Sequence, residues 1–338
     1  MALHRYTCRP YRGPEDHDAM AAVRLGCAEW DRIDAGSVVE GLPTAADIAK
    51  ACAESEDPHE NQILVHYQGE GEGEGEGEGE GVVVGYSTIR WWEERDGTWL
   101  YLHRGYLLPG HRGQGIGSAM LDWAENRIRR LVREHGTGRT AVFGANATAG
   151  EADTTALLLA GGYRRVFSLV ELELADLRTL PGANPLPAGV RLGAVEPDDY
   201  RAAWSAVVDS YADAAHTRTW PYERFLATAA TAAKASPTCW RAAWDGDRLA
   251  GVALCSVHHR RDRAVGEVEE LSVRAESRRR GLGRALLLDG LRCLRDHGAR
   301  TARLYTGTAN PYRSYDLYES VGFRRRNEYV RYRKPIEN

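Results

Sequence analysis

No apolar run in the 338-residue chain approaches the length of a membrane-spanning helix, and its start, MALHRYTCRPYRGPEDHD, lacks the apolar core of a secretory signal. A cytoplasmic protein with no membrane partner is the expectation. There is no C-x-x-C pair: Cys8, Cys27, Cys52, Cys239, Cys255 and Cys293 are scattered, and no histidine stands at a spacing suited to zinc. Reduced, structural thiols are therefore expected, and no metal. Excess positive charge is also missing, since the net charge of −4 leaves no global footprint for nucleic acid. What is present, 43% hydrophobic and 27% charged residues, suits a globular chain long enough for two domains.

Two composition breaks organise that length. Residues 69–81, GEGEGEGEGEGEG, cannot bury apolar surface and repel one another, so they read as a solvated loop between the strand-like NQILVHY and GVVVGYSTIRWW. Residues 177–192, LRTLPGANPLPAGVRL, are rich in Pro and Gly and read as a linker. The domains predicted are 1–178 and 189–338, with 179–188 between them. Each half runs strand, acidic helix start, helix, several strands, then a glycine-rich turn opening a long amphipathic helix, which makes them tandem copies of one fold. The first is longer mainly by its Gly-Glu tract.

The turns are HRGQGIGSAM and RRRGLGRALL. In the second copy the preceding EVEELSV is a strand whose apolar alternation breaks, which predicts a bulge. After it, Leu282, Leu286, Leu288, Leu291 and Leu294 recur at helical spacing, so a helix begins near Gly281. Strand, turn and helix aim backbone N–H groups and a helix dipole at one point, an anion site. A P-loop is excluded because Gly283 is followed by Arg284 and Ala285 rather than Lys and Ser or Thr; a dinucleotide fingerprint is excluded by the missing third glycine. The form that remains, R-x-x-G-x-G, occurs twice, at Arg112, Gly115 and Gly117 and at Arg278, Gly281 and Gly283.

With that doubled turn, and with LYTGTANPYRSYDLYESVGFRRRNEYVRYRK closing the second half, the chain resembles a tandem member of the GCN5-related N-acetyltransferase (GNAT) superfamily. The resemblance implies an α/β (α+β) fold of two GNAT-like domains, each a mixed, mostly antiparallel sheet flanked by helices. It implies acetyl-coenzyme A as cofactor, its pyrophosphate held by the turn, and transfer of acetyl to the primary amine of a small molecule. Tandem relatives include mycothiol synthase, which acetylates a cysteinyl amine on an amino-sugar scaffold, and antibiotic-modifying enzymes. A non-catalytic acyl-CoA-binding or regulatory protein, monomer or homodimer, is the rival.

Carried onto this sequence, cofactor contacts fall on Arg278, Arg279, Arg280, Gly281, Leu282, Gly283 and Arg284. The backbone of Leu271, Ser272 and Val273 would hold the acetyl carbonyl, and Asn310, a natural helix N-cap before Pro311, would touch the pantetheine arm. The first copy offers Arg112, Gly113, Gln114, Gly115, Ile116 and Gly117. Glu267 and Glu269, with Glu270 beside them, are candidates for the base that takes the amine's proton; Tyr318 is the acid for the departing thiolate. Tyr312 and Tyr315 are expected only to pack. Asp209, Asp213, His216, Trp220 and Tyr222 suit a cationic, ring-bearing acceptor. In the first copy Leu158 stands where Tyr318 does, and Tyr101, with His103 nearby, where Glu267 does, so that copy is expected not to turn over.

Because the Gly-Glu tract adds no core, deleting residues 69–81 is expected to leave Tm and acetyl-CoA affinity nearly unchanged. Differential scanning calorimetry checks this, and collapse of folding would make the tract structural.

Overall fold

In the computed structural model, residues 5–37, 39–69, 81–136, 138–182, 185–211, 221–235, 239–260, 263–308 and 314–337 are described. The first copy runs β1 (Tyr6–Pro10), α1 (His17–Trp30), α2 (Ala45–Ala53), α3 (Pro58–Asn61), β2 (Gln62–Tyr67), β3 (Val82–Glu93) and β4 (Trp99–Leu107). It continues through α4 (Ile116–His135), β5 (Ala141–Thr148), α5 (Ala152–Ala160) and β6 (Arg164–Leu174). The second runs β7 (Val190–Ala194), α6 (Tyr200–Ser210), α7 (Tyr222–Ala235), β8 (Arg241–Asp245), β9 (Arg248–Arg260) and β10 (Arg263–Val273). It ends with α8 (Leu282–Asp296), β11 (Thr301–Gly307), α9 (Ser314–Val321) and β12 (Arg324–Pro335).

The chain divides into two units, Met1–Phe167 with Tyr329–Asn338, and Ser168–Glu328. The division differs from the one expected at 179–188. Composition marks that stretch as a linker, yet Leu177 is fully buried and its N–H donates to the Arg300 carbonyl at 2.9 Å, both within the second unit. The physical reason lies one strand earlier. β6 after α5 pairs antiparallel with β11, Leu174 opposite Ala302, and so completes the second sheet; β12 at the chain's end pairs with β5, Val330 opposite Ala147, and completes the first.

Strand order is β1-β2-β3-β4-β5-β12 in the first unit and β6-β11-β10-β9-β8-β7 in the second, the same order read in opposite directions. All neighbours are antiparallel except β4 with β5 and β10 with β11. The internal repeat and the mixed, mostly antiparallel sheets expected from sequence are present. β2 and β3, flanking the Gly-Glu tract, are adjacent, Tyr67 opposite Val82; residues 70–80 lie outside the described ones.

α8 forms because its leucines repeat on one face. Leu286, Leu291 and Leu294 are fully buried against Ala253, Cys255 and Val257 of β9, burial worth about 1.5–3 kcal/mol each. The approach is close at one point, where a Cβ on Gly290 would lie 2.8 Å from Cys255 Sγ. On the other face of β9, Val252 and Leu254 pack with Ala203, Val207 and Phe225 of α6 and α7. In the first unit α4 plays the part of α8, with Ala124, Ile128 and Leu131 against Ile89, Tyr101 and Phe143. No helix of the described residues is long and apolar enough to cross a membrane.

One expectation about the cysteines is corrected: Cys239 and Cys293 form a disulfide, while Cys8, Cys27, Cys52 and Cys255 are free. Spacing along the chain gave no sign of the pair, because it is α8 packing on the sheet that brings Cys293 to the start of β8.

Strand exchange has a measurable consequence. Tyr329, Val330 and Tyr332 are buried in the first unit, and the Tyr329 hydroxyl bonds Ser37 Oγ at 2.5 Å. Truncation after Glu328 is expected to abolish the first unit's share of the calorimetric unfolding enthalpy, although every residue of 1–178 remains. An unchanged enthalpy would show that β12 is dispensable.

Candidate active site

Both glycine turns have the same backbone. Gly115 (φ 88°) and Gly281 (φ 82°) are the left-handed residues from which α4 and α8 start, so their first N–H groups point into the turn with no intrahelical partner. Two residues earlier Gly113 (φ 73°) and Arg279 (φ 63°) are left-handed as well, the second without the freedom of glycine. A Cβ added at Gly113, Gly115 or Gly281 would meet nothing within 4 Å, so the turns border open space. Gln114, Ile116 and Gly117, like Leu282 and Gly283, supply that backbone, while the side chains of Ile116 and Leu282 are buried in the cores.

Four of the five arginines of the turns are engaged in the fold. Arg112 Nε donates to the Leu107 carbonyl and Arg278 Nε to the Val273 carbonyl, each at 3.0 Å, latching the turn to the end of its strand. Arg112 also forms a two-pronged bond with Asp31 at 2.8 Å. Arg280 pairs with Asp245 at 2.5 Å, and Arg284 reaches the Gly182 carbonyl at 3.4 Å. Of the groups expected to hold an anion, these arginines already have partners, and the amides of the turn are the groups not drawn into such a pair by their side chains.

β10 carries the bulge that its broken alternation predicted. Val268 pairs with Cys255 and Glu270 with Leu254, so Glu269 is the extra residue. Val268 then faces the α8 side, with Leu271 and Val273 packed against the same core, and Glu267, Glu270 and Ser272 face α6 and α7. β10 and β11 pair only over Val265–Glu267 and Thr301–Arg303, so beyond Glu267 the backbone of 269–273 on the β11 side is released from the ladder.

The three carboxylates sit differently. Glu267 is 3.3 Å from His258 Nε2; Glu269 accepts a short hydrogen bond from Ser256 Oγ, which is itself 2.8 Å from His258 Nε2. Burial raises the Glu269 carboxyl above its usual range, against the Ser256 bond. Glu270 accepts from Ser272 Oγ at 2.6 Å and from the Tyr211 hydroxyl at 2.7 Å, and Ser272 meets Ser210 Oγ at 2.8 Å. Burial raises it too, while those bonds favour its charged form. Tyr318, on α9, is buried and stacks edge-on with Phe323 at 6.0 Å. Burial, then the charge of Glu270, pushes its phenol well above the ordinary value, so it remains a proton donor at neutral pH.

The first unit has no shift in the β3–β4 register. Counting back from Leu107 and Val273, Arg104 takes the place of Glu270, His103 that of Val268 and Leu102 that of Glu267. Tyr101 therefore does not correspond to Glu267 as expected, because the bulge adds a residue to one copy alone. Tyr101 instead faces the α4 core, bonded to His135 at 2.7 Å. Arg104 pairs with Glu40 at 3.2 Å, and His103, bonded to Tyr163 at 2.8 Å, is pushed down to about 4 by burial. A cavity of about 430 Å³ opens in this unit, lined by Leu107, Gly115, Gly117, Asn146, Leu157 and Leu158 among others. It lies at the glycine turn where β4 and β5, paired over Trp99–Leu102 and Ala141–Gly144, part company.

The GNAT acetyltransferase family model matches residues 42–149 and 202–323, covering both turns and Tyr318. The chain belongs to the GNAT family. It is an acyltransferase with two tandem GNAT domains. Among curated relatives, a mycothiol acetyltransferase of Thermobispora bispora is 33% identical over 235 residues, 67% of this chain and 73% of the relative. One of Salinispora arenicola is 28% identical over 310 residues, 90% of this chain and 95% of the relative. A GCN5-related N-acetyltransferase from Sphaerobacter thermophilus superposes with TM-score 0.75 at 22% identity, covering 100% of this chain and 98% of that one. A tandem GNAT protein from the clavulanic acid biosynthesis pathway does so with TM-score 0.66 at 18% identity, covering 98% and 99%.

Not every residue expected in this GNAT site lies there. Tyr222 packs among Trp204 and Phe225 under the Arg201 guanidinium, and Asp209 pairs with Arg274, which anchors the end of β10 by donating to the Leu249 carbonyl. Each is claimed by a partner in the fold, Tyr222 by residues of α6 and Asp209 by an arginine just beyond β10. Tyr315 packs against the core as expected. Asn310, Tyr312, Asp213, His216 and Trp220 lie outside the described residues. Sequence reasoning missed Tyr211, Ser210, Ser256 and His258; only their position on the face opposite the core strand residues would have marked them.

Replacing Tyr318 by Phe removes a donor without emptying the core. A fall in kcat of about 100-fold, with KM for acetyl-CoA within about threefold, is expected in steady-state kinetics. An unchanged kcat would remove Tyr318 from the chemistry.

Proposed function

We propose that this GNAT enzyme acetylates the primary amine of a small, cationic acceptor and that the second unit does the chemistry. The observation that carries the reading is the bulge at Glu269, which sets Glu267 and Glu270 on one face, Glu270 bonded to Tyr211 and its charge felt at the buried Tyr318 phenol. Acetyl-CoA, the cofactor that the family uses, supplies an acetyl group as a thioester. The residues present fit it: two left-handed turn positions with open space before the α8 amides suit its pyrophosphate, and the backbone of Leu271, Ser272 and Val273 leaves the ladder where a carbonyl needs a donor.

An amine arrives protonated at neutral pH and must lose that proton to attack. Glu270 takes it: its charged form is held by Ser272 and Tyr211 while burial keeps its affinity for a proton higher than that of a surface carboxyl. Glu267 and Glu269, with His258 and Ser256, hold the cationic acceptor in place. Tyr318 gives its proton to the departing sulfur. The relatives named mycothiol acetyltransferase support an acceptor of the amino-sugar type carrying a cysteinyl amine. In the first unit the cavity and turn suit a second acetyl-CoA, while Arg104 and Leu158 supply neither base nor acid, so binding there proceeds without turnover.

Thiol release measured across amino sugars, aminoglycosides, amino acids, peptides and a cysteinyl amino sugar tests the acceptor, and no release despite tight acetyl-CoA binding would favour a purely regulatory protein. The pH profile tests the base. The carboxylate form of Glu270 is lost as pH falls through its raised value, so kcat/KM is expected to drop on the acid side. Glu270→Gln should abolish that limb and lower kcat by about 10²- to 10⁴-fold; a limb that persists would pass the role to Glu267 or Glu269.

A further inference from the structure

Cys239 and Cys293 are separated by 54 positions in sequence and meet with Cα atoms 5.5 Å apart, a separation ordinary for a disulfide. His297, one helical turn beyond Cys293, brings Nδ1 within 3.5 Å of Cys239 Sγ and 3.6 Å of Cys293 Sγ. The same nitrogen lies 2.8 Å from the Cys293 carbonyl, an obligate acceptor, so Nδ1 carries the hydrogen and Nε2 is left to take a proton. His297 is exposed, Cys293 half-buried and Cys239 fully buried. Neither family chemistry nor the site on β10 uses these three residues.

We propose that Cys293, Cys239 and His297 form a thiol–disulfide exchange site for low-molecular-weight disulfides, closing a covalent tie between the end of α8 and the start of β8. Cys293, the more accessible sulfur, attacks as a thiolate with the imidazole of His297 beside it to favour that form. Its attack on one sulfur of the external disulfide forms a mixed disulfide and releases one thiolate. Cys239, deprotonated in turn, attacks Cys293 Sγ and expels the second thiolate. The external disulfide gains two electrons and two protons; the two cysteines lose them.

The nearest other thiol does not join this pair. Cys255 is a neighbour through the backbone, its carbonyl accepting from Cys239 N–H at 3.1 Å, but its sulfur is turned to Gly290 inside the core. A metal on these three side chains would need the Nδ1 lone pair, which the bond to the Cys293 carbonyl uses as N–H instead. The tie also has a place in the mechanics of the unit, since α8 starts at the cofactor turn and is already linked to β8 by Arg241 and Asp289 at 2.6 Å. Oxidation adds a second link one end further along.

The full chain, reduced and then freed of reductant, is exposed to oxidised glutathione, denatured in maleimide and weighed. Six adducts are expected before oxidation and four after, with a cross-linked Cys239–Cys293 peptide, against the six cysteines of the sequence and the four free in the structure. The oxidised chain should melt about 10 °C higher. His297→Ala, a surface change, should slow oxidation about tenfold near neutral pH and leave the Tm of the reduced chain unchanged. Six adducts after oxidation, a cross-link elsewhere, an equal rate in His297→Ala, or one equivalent of zinc retained by the reduced chain would each overturn the proposal.

Discussion

A β-strand presents alternate residues to opposite faces, so Glu267 and Glu270, an odd number of positions apart, share a face only because Glu269 stands between two consecutive ladder pairs. The chemistry proposed for the second unit follows from that insertion. It keeps Val268 in the core on the α8 side and turns the next carboxylate toward α6, where Tyr211 and Ser210 end a helix and can reach it. It also comes where β10 and β11 cease to pair, so main-chain groups and side chains are released at the same level of the sheet. A sheet without the extra residue would bury one of the two carboxylates against leucine.

The first unit shows what the fold does when the insertion is missing. Its turn has the same left-handed positions, its arginine the same latch onto the strand end, and its parallel strands the same parting, yet at the level of Glu270 it carries Arg104, neutralised by Glu40. A guanidinium cannot take a proton from an amine, and a like charge repels one. The parts of the fold proposed to hold a cofactor and those proposed to do chemistry on it are thus separable. The former depend on backbone geometry that both copies keep; the latter depend on one strand position and one helix position, Tyr318 against Leu158.

Much of this was legible in the sequence because it is local. The doubled R-x-x-G-x-G turn, the helix after it, the bulge before it and the phenol on α9 are each written within a short stretch, in periodicity and in punctuation by glycine. The partners of the arginines are not local. Arg112 meets Asp31 and Arg280 meets Asp245, and nothing near either arginine distinguishes a residue that latches the turn from one that would reach a phosphate. The same holds for Asp209, drawn off by Arg274, and for the pairing of Cys239 with Cys293. A bulge also defeats alignment by counting: its presence could be inferred in one copy, but the residue matching Glu267 in the other follows only from the ladder register.

Exchange of the last strands explains why composition misplaced the seam. A proline- and glycine-rich stretch marks a place where the backbone need not be regular, but it says nothing about which sheet the strands on either side complete. β6 precedes that stretch and belongs to the sheet that follows it, because Leu172 and Leu174 find their core beside Leu304 and Phe323. β12, the last strand in the chain, goes back to the first sheet because Val330 and Tyr332 find theirs beside Phe143 and Tyr163. Each sheet therefore closes only when the other half of the sequence has been made. The first unit cannot complete its sheet from residues 1–178 alone, because β12 comes from the end of the chain, and this gives the copy proposed to be catalytic a structural reason to remain attached to the first.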